Sequence, residues 1–354
     1  MKILDRYIGW NIISSTLTVL VVLVVIFTFF AFIDQLEDIG RGTYTLGKIF
    51  VFVLFRIPNL TYDLFPMAAL IGSLIGFGTM MRNGELAVIR CVGVTKGRVV
   101  FAVVKGGSVL LVAAMLNGEF IAPPAEHFAR DYRDIAINDR VTFISVNGFW
   151  ARDANNYINI REILPGDQLR DVYIYEFDAD NKLRLSTYAE FAHYAHHQWV
   201  LQNISQTVLD GDGLHRRTVR EAAWDSMLKP DLLRVVTINP DSLSIWSLFK
   251  YGRFLSNNGQ NPQRYLQAMW IKISYPFASI VMVVLAVPMV LRASRSVTIG
   301  QRILTGASIG LGFHLLNQAT GRLGVVYDFP PILSAVGPAL LMSAVAAYLL
   351  AHTP

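Results

Sequence analysis

The chain has 354 residues, of which 53% are hydrophobic and only 16% are charged, with a mean hydropathy of +0.42. Soluble globular domains have about 25% charged residues, so this composition excludes an ordinary soluble enzyme and indicates an integral membrane protein. The net charge is +5, but the basic residues lie in short segments beside apolar runs, which indicates membrane topology rather than nucleic-acid binding. The single cysteine, Cys91, excludes an intramolecular disulfide and a Cys-rich metal site.

The first apolar segment follows Lys2 and Arg6 and has no charge from Tyr7 to Ile33. About 20 such residues are enough to cross the hydrocarbon core of a bilayer. No A-x-A-like cleavage site follows, so we expect an uncleaved first span rather than a signal peptide. Because basic residues concentrate on the cytoplasmic side, this span should begin inside, and the acid-biased loop after it should lie outside.

The second span is predicted from Ile49 to Met81, and it is interrupted by two prolines and two charges. Arg56 and Asp63 are seven residues apart, or two helical turns, so they share one face. Charges within a span usually face protein or water. Arg56 and Asp63 therefore either pair with neighbouring helices or, in the simpler interpretation for Arg56, reach back to the outer interface.

The loop from about 82 to 93 is mostly basic and is expected to face the cytoplasm. Leu86, Ile89 and Val92 recur at helical spacing, with Glu85 beside them. The pattern predicts a short amphipathic helix. Such a helix either contacts a soluble partner or is simply a solvated or interfacial turn, and the spacing alone does not separate the two.

A third span is predicted from Val99 to about Ala122, and Pro123-Pro124 is expected to end it. From 124 to 264 the composition becomes polar and no run is long enough to cross a membrane. Short β-like segments at 8–12-residue spacing predict an all-β sandwich, barrel or jelly roll. The segments are Val141–Val146, Tyr157–Ile163, Val172–Phe177, Leu183–Tyr188, Trp199–Ile204, Arg217–Ala222 and Arg234–Ile238. Of these, Val172–Phe177 is apolar on nearly both faces, as in a strand covered on both sides, one lining an apolar groove, or an ordinary sandwich strand.

The segment from 240 to 264 has apolar residues at helical spacing and should lead back to the membrane. Three further spans are predicted at Tyr265–Leu291, Ile303–Gly321 and Phe329–Ala351. The expected architecture is therefore an α-helical membrane protein of six spans, with both termini inside and an external β domain between the third and fourth. The expected domains are residues 1–123, 124–264 and 265–354.

Several kinds of catalytic chemistry are absent from the sequence. It has no G-x-x-x-x-G-K-[ST] loop, so ATP binding by that route is not expected, and no G-x-S-x-G or H-E-x-x-H motif. His193, His196 and His197 have metal-like spacing, but no acidic or cysteine companion stands near them, so a solvated turn is preferred over a metal site.

A lone histidine, His314, falls within the fifth predicted span. It either lines a polar cavity or titrates in a proton relay, or it satisfies a hydrogen bond between helices, with Asn317 or Gln318 as the candidate partner. The sequence has no ladder of membrane carboxylates, so a proton-coupled carrier has little support.

Short motifs recur in a specific order around the β-rich insert. They are Leu4-Asp5-Arg6-Tyr7-Ile8-Gly9, Asp34-Gln35-Leu36, Phe65-Pro66-Met67-Ala68-Ala69-Leu70, Gly84-Glu85-Leu86, Trp270-x-Lys272 with Pro276, and Arg295-Ser296-Val297. In this order, over essentially the full length, the chain resembles the LptF/LptG family of lipopolysaccharide export permeases.

This resemblance implies a role as one subunit of an ATP-driven transporter in the inner membrane of a Gram-negative bacterium. The implied partners are a homologous permease, LptF, a dimeric cytoplasmic ATPase, LptB, which binds the ATP and magnesium, and a bridge protein, LptC. The implied substrate is lipopolysaccharide, and the β domain is implied to be a periplasmic jelly roll. The chain itself is then expected to have no cofactor, no metal, no catalytic residue and no nucleic-acid partner.

The resemblance also implies roles for particular residues. The loop helix would be the element that couples to the ATPase, through Glu85, Leu86, Val88, Ile89 and Val92. The substrate cavity and its gates would be lined by Phe27, Phe30, Arg41, Arg130, Arg133, Ile309 and Phe313. The chain departs from the pattern expected of the family at the end of the first span, which is acidic. A phosphorylated lipid should meet basic residues there, so the positive charge would have to come from Arg130 and Arg133 or from bridging divalent cations.

One alternative function needs no lipid passage. In that case the spans would transmit the conformational changes of an ATPase to an external domain that binds a protein partner.

Overall fold

The computed structural model describes residues 2–138, 143–153, 156–164, 168–178, 182–195, 198–210, 213–224, 230, 240–257, 260–292 and 297–352. Three expectations fall outside these residues. They are the strand Arg234–Ile238, the placement of His196 and His197, and that of Arg295-Ser296.

Nine α-helices and six β-strands make up the regular structure of the described ranges. The helices are α1 (Lys2–Gln35), α2 (Leu46–Arg82), α3 (Glu85–Cys91), α4 (Lys96–Leu116), α5 (Ala122–Asn138), α6 (Ile245–Asn257), α7 (Gln263–Arg292), α8 (Ile299–Val326) and α9 (Pro331–Ala351). A π-helical turn, Asn117–Ile121, joins α4 to α5, and short 3-10 helices occupy Leu36–Asp38 and Pro240–Ser242.

Five helical segments of the described chain are long and apolar enough to cross a membrane. They are Ile3–Asp38, Leu46–Arg82, Gly97–Ile137, Gln263–Arg292 and Pro331–Ala351. Each overlaps a predicted span. The remaining prediction, Ile303–Gly321, lies within α8, which has 28 residues and is long enough but more polar. The sixth span therefore stays a prediction.

Helix α2 is the centre of the membrane region. It packs against α1, α5, α7 and α8, and 78% of its most apolar window is buried, compared with 11% for α1. Its C-terminal half lies in the largest apolar cluster, around Phe77 and Met80, and its N-terminal half packs on α5 through Phe52 and Ala129. Helix α1 is consequently a peripheral helix with most of its surface uncovered.

Two prolines within α2 each remove an amide that would close a helical hydrogen bond. Pro66 leaves the carbonyl of Tyr62 without its usual donor. The hydroxyl of Tyr275 on α7 donates to that carbonyl, and the two tyrosine rings stack with centroids 4.1 Å apart. Near the other proline, Asn117 Nδ2 donates to the Pro58 carbonyl at 2.7 Å. The proline-containing part of α2 is thus held by groups from other helices.

The prediction that Pro123-Pro124 stops the helix of the third span is wrong, because helical structure continues through the π turn and α5 to Asn138. The π turn restarts the hydrogen-bond ladder, so both prolines occupy the first turn of α5, where a missing amide is tolerated. The turn also passes close to α2. A Cβ on Gly118 would lie 2.2 Å from Cδ2 of Tyr62, so a glycine is required at this contact.

Helix α8 approaches α2 through small residues one turn apart. A Cβ on Gly306 would lie 2.9 Å from Ile71 Cγ1, and one on Gly310 would lie 2.5 Å from Met67 Cγ. Small residues at this spacing allow two membrane helices to pack closely. The stripe therefore fixes α8 against the central helix.

The six strands form one antiparallel sheet in chain order. They are β1 (Phe143–Asp153), β2 (Asn156–Leu164), β3 (Gln168–Phe177), β4 (Leu183–Ala195), β5 (Gln198–Asp210) and β6 (Gly213–Trp224). Six of the seven predicted segments coincide with these strands, and the inserted β domain is confirmed. Among the described strands the topology is a meander, without the crossover connection of a jelly roll.

The two faces of the sheet differ. On one face Ile158, Val172 and Ile204 are fully buried in a cluster completed by Tyr251 and Phe254 of α6. The opposite face holds aromatic pairs, including Trp150 with Tyr175 and Tyr173 with Tyr188. The segment Val172–Phe177 therefore has one covered face and one partly open aromatic face.

Candidate functional site

Glu85 stands at the first position of α3, immediately after a tight turn at the end of α2. Gly84 makes that turn with φ of +78°, a backbone conformation that favours glycine. The Glu85 carboxylate accepts two hydrogen bonds, from the Tyr7 hydroxyl to Oε2 at 2.9 Å and from Asn83 Nδ2 to Oε1 at 3.1 Å. An acid at a helix N-terminus is electrostatically favourable, so the carboxylate is held in a defined position.

The predicted amphipathic helix is confirmed over Glu85–Cys91, but Val92 does not share the inward face of Leu86 and Ile89 as the spacing predicted. Leu86 is buried, and Ile89 is partly buried against the same membrane-helix core. Val88 and Val92 are 64% and 78% exposed, and Val92 lies just after the last helical residue. Of the apolar residues expected to contact a partner, Leu86 instead holds α3 on its own chain, which leaves Val88 and Val92 as the open apolar surface.

The start of α1 is fastened at the same end of the molecule. Arg98 at the start of α4 forms an ion pair with Asp5, with Nη2 to Oδ2 at 2.7 Å. Together with the Tyr7–Glu85 hydrogen bond, this pair ties α1 both to α4 and to α3. The sequence analysis missed these contacts because the paired residues are far apart in the chain.

At the opposite end of α2, the end of α1 is tied to α5 through Arg133. Its Nη2 lies 2.5 Å from Asp38 Oδ2, and its Nε donates to Gln35 Oε1 at 2.9 Å. Asp38 also pairs with Arg41, with Oδ1 to Nη1 at 2.6 Å. The acid at the end of the first span is therefore the counter-charge of two predicted site residues.

A second ion cluster is centred on Glu126, which is almost fully buried. Arg130 lies 2.9 Å from Oε1, and Arg56 Nε lies 3.6 Å from Oε2. Arg56 thus pairs with a neighbouring helix rather than reaching only to the interface. The sequence analysis missed Glu126, although its i,i+4 spacing to Arg130 was a signal for that half of the cluster.

The two clusters lie at the same end of α2, and the charges of their paired side chains nearly balance. Four arginines share three carboxylates, since Arg133 also lies 3.7 Å from Asp134. The most exposed of the arginines is Arg41, whose side chain is 67% exposed. Arg41 is consequently the most accessible of the four arginines.

The aromatic and aliphatic residues expected at the gates lie on separate faces. Phe27 and Phe30 are exposed on α1, which packs against α2 and α4. Ile309 and Phe313 are partly buried on α8, which packs against α2, α7 and α9. The central helix separates the two sets, so the chain by itself does not bring them together.

The histidines have ordinary surroundings. His314 Nε2 lies 3.1 Å from Gln318 Nε2, one turn along α8, so the candidate partner is the expected one, but the contact lies within one helix and not between helices. His193 belongs to β4 and pairs in register with Gln168 and Val200. Within the described residues, no three His, Cys, Asp or Glu side chains are grouped to hold a metal.

Comparison with known proteins assigns this architecture to a family. The family model for the lipopolysaccharide export system permease LptF/LptG matches residues 6–352, which include the membrane helices, α3 and the sheet. The chain belongs to the LptF/LptG family. It is 34% identical over 340 residues to the lipopolysaccharide export system permease protein LptG of Haemophilus influenzae, covering 96% of this chain and 95% of the relative.

A second LptG relative gives the same result. The protein of that name from Escherichia coli K12 is 34% identical over 352 residues, covering 98% of each chain. Because the LptF/LptG match is continuous, the Glu85 end, the Arg133 end and the inserted sheet all lie within the family's common architecture.

Proposed function

We propose that this chain is the LptG-type permease subunit of an ATP-driven ABC transporter that extracts lipopolysaccharide from the inner membrane. The second permease is LptF, the dimeric ATPase LptB binds and hydrolyses the ATP, and LptC begins the periplasmic bridge that receives the lipid. The observation that supports this proposal is the unbroken family match across helices and sheet. The chain itself makes and breaks no covalent bond.

The proposed orientation follows from the positions of the charges. Lys2, Arg6 and Arg82 lie at the α3 end of the molecule, which the positive-inside rule assigns to the cytoplasm. The 37 residues of α2 extend about 55 Å. The sheet, which follows α5 at the other end of α2, is then periplasmic.

In this orientation α3 is the coupling element. Glu85 offers a positioned carboxylate to a basic residue of the ATPase, and Val88 and Val92 offer exposed apolar contact. Leu86 and Ile89 join α3 to the core around α2. A displacement of α3 by the ATPase would therefore move the central helix, which contacts both the α1 and the α8 sides of the subunit.

The lipid path requires a second permease. The open face of α1 with Phe27 and Phe30, and the face of α8 with Ile309 and Phe313, each lack a counterpart in this chain. Matching faces of the second permease would close two lateral gates around acyl chains. At the Arg133 end, Arg41 is the most accessible of the arginines for a lipid phosphate. Arg130 and Arg133 would have to exchange their carboxylate partners for the phosphate in order to bind it.

The decisive experiment is gentle purification of the tagged chain from its native membrane, with and without Glu85→Lys. Co-purification of an ATPase and a homologous permease, with the ATPase lost in Glu85→Lys, is the expected result. Glu37→Lys makes the same charge change in an exposed acid at the opposite end and should keep the complex. A chain isolated alone, or a Glu85→Lys complex with full transport, would refute the proposal.

Mechanical transmission without lipid passage is the second candidate. The continuous helical segment from Lys96 to Asn138 favours it, because this segment runs from the α3 end to the opposite end of the helical bundle. Photo-crosslinking residues at Phe30, Phe313 and Tyr173 in an active complex discriminate the two functions. Lipid adducts at these positions support transport, whereas an active complex with none of them supports transmission.

A further inference from the structure

A buried guanidinium between α2 and α8 has no counter-ion among the described residues. Arg302, in the first turns of α8, is only 6% exposed. Its side chain occupies the space above Gly78 of α2, where a Cβ would stand 1.3 Å from Nη1. Arg302, Gly306 and Gly310 are each four residues apart, so all three lie on the face of α8 that contacts α2. Arg302 puts a charged side chain into this contact, whereas the two glycines have no side chain there.

The buried donors of this side chain have no acceptor. Nε and Nη2 of Arg302 make no hydrogen bond, and no described acid forms an ion pair with it. A second arginine, Arg82, follows Gly78 by four residues and therefore lies on the same face of α2, one helical turn further on. Glu85, the next acid along the chain, is already held by Tyr7 and Asn83. A buried charge is normally paired, so an anion is missing from this place.

The surroundings add to the positive potential. Arg302 lies near the N-terminus of α8, where the helix dipole is positive and a cation is unfavourable. The helix begins with a capping box between Thr298 and Gln301. The helix end, the buried guanidinium and Arg82 together make a site for one anionic group.

The chemistry around the site indicates which anion fits. The exposed side chains in the first two turns of α8 include the apolar Ile299, Ile303 and Leu304, alongside the polar Gln301 and Thr305. A protein carboxylate would come with a polar surface, whereas a phospholipid has a phosphate at the depth of a helix end and acyl chains below it. Basic pockets between membrane helices on the cytoplasmic side bind anionic headgroups in this way.

We propose that Arg302 and Arg82 bind the phosphate of an anionic phospholipid in the cleft between α2 and α8. Only the assignment to the cytoplasmic leaflet rests on the proposed function, through its membrane orientation. The bound lipid is a structural ligand and not the transported one. The site lies at the α3 end of α2, whereas the arginines proposed to meet the transported lipid lie at the opposite, Arg133 end.

The test uses the purified full-length chain in detergent, titrated with phosphatidylglycerol or phosphatidylcholine and followed by native mass spectrometry. We expect retained phosphatidylglycerol, and about tenfold weaker retention in Arg302→Gln, since a hydrogen bond to a charged group has that order of effect. Arg322→Gln removes an exposed charge at the other end of α8 and should retain the lipid as the wild type does. No ATPase or lipopolysaccharide is present, so the result is independent of the transport proposal.

Gly78→Ala tests the same site without changing the charge, since the new Cβ must displace the guanidinium. It should weaken phosphatidylglycerol retention as Arg302→Gln does, and it decides the matter if Arg302→Gln does not fold. Equal retention by wild type and the folded variants overturns the proposal. So does equal displacement of the lipid by inorganic phosphate at the same concentration.

Discussion

The hydroxyl of Tyr7 donates a hydrogen bond to Oε2 of Glu85 at 2.9 Å, joining residues 78 positions apart. This contact gives one carboxylate oxygen an intrachain partner. It also connects the first turns of α1, a helix that lies at the edge of the bundle, to the loop helix. The orientation of the Glu85 carboxylate therefore depends on the N-terminal helix.

Tyr7→Phe should weaken association with the ATPase by about two- to tenfold, because a single hydrogen bond that orients the carboxylate is lost. Glu85 and its charge remain, so the loss should be much smaller than in Glu85→Lys. Titration of the purified chain with the ATPase subunit measures the difference. Full loss of binding in Tyr7→Phe, or binding equal to that of wild type, would contradict this role for the hydroxyl.

Arg133→Gln should lower the free energy of unfolding by about 1–3 kcal/mol, since it leaves buried Asp38 with only one of its two cations. Thermal unfolding of the full chain in detergent reports the change. Arg41→Gln is the matched control. Its side chain is largely exposed, and the expected loss is below about 1 kcal/mol. Equal losses of unfolding free energy in the two variants would show that the Arg133–Asp38 ion pair stabilises the fold no more than the exposed Arg41–Asp38 pair does.

Tyr275→Phe should lower the free energy of unfolding by about 1 kcal/mol while keeping the stacked rings, because the carbonyl freed by Pro66 loses its donor. In a Pro66→Ala background the backbone amide is restored, so the same change should cost clearly less. Pro58→Ala restores a different amide and should leave the cost of Tyr275→Phe unchanged. Thermal unfolding of the four combinations with Pro66→Ala measures the coupling, and additive effects would disprove it.

Stability above pH 10 should fall in part through Tyr188. The Tyr188 hydroxyl donates to Asp171 Oδ1 at 2.6 Å, and this hydrogen bond raises the pKa of Tyr188 from 10.0 to about 12. The folded chain then binds the proton more tightly than the unfolded chain. This contribution is fully present below pH 10 and is lost as the pH rises from 10 to about 12.

Tyr188→Phe should therefore flatten the fall in unfolding temperature across that interval, measured by circular dichroism of the full chain. Tyr173→Phe, on the neighbouring strand, leaves the bond to Asp171 in place and should keep the wild-type fall. An identical pH profile in wild type and Tyr188→Phe would argue against the assignment.

The sequence was informative where the physical signal is local. Uninterrupted apolar runs gave α1 and α9, and alternation with turn residues gave the strands, because both patterns depend on neighbours in the chain. The helix at Glu85 was predicted from three apolar residues at helical spacing. Its inward face was not assigned, because burial of Leu86 depends on residues of other helices.

The errors and omissions concern contacts between distant segments. Glu126 lies 70 positions from Arg56 in the chain, and nothing near Arg56 signals it. Pro123-Pro124 has the usual signature of a helix end, but the preceding π turn changes which amides are needed. The near-balance of charge at the Arg133 end was also missed, since acids after the first span and bases after the third become partners only in the folded bundle.

The π turn at Asn117–Ile121 sets the angular phase of α5 relative to α4. Each residue of an α-helix advances the chain by about 100° around its axis. Deleting one residue here would convert the turn to regular helix and rotate α5 by that angle, pointing Arg133 away from Asp38 and Glu126 away from Arg56. The number of residues in this turn therefore determines whether the ion pairs from α5 to the ends of α1 and α2 can form.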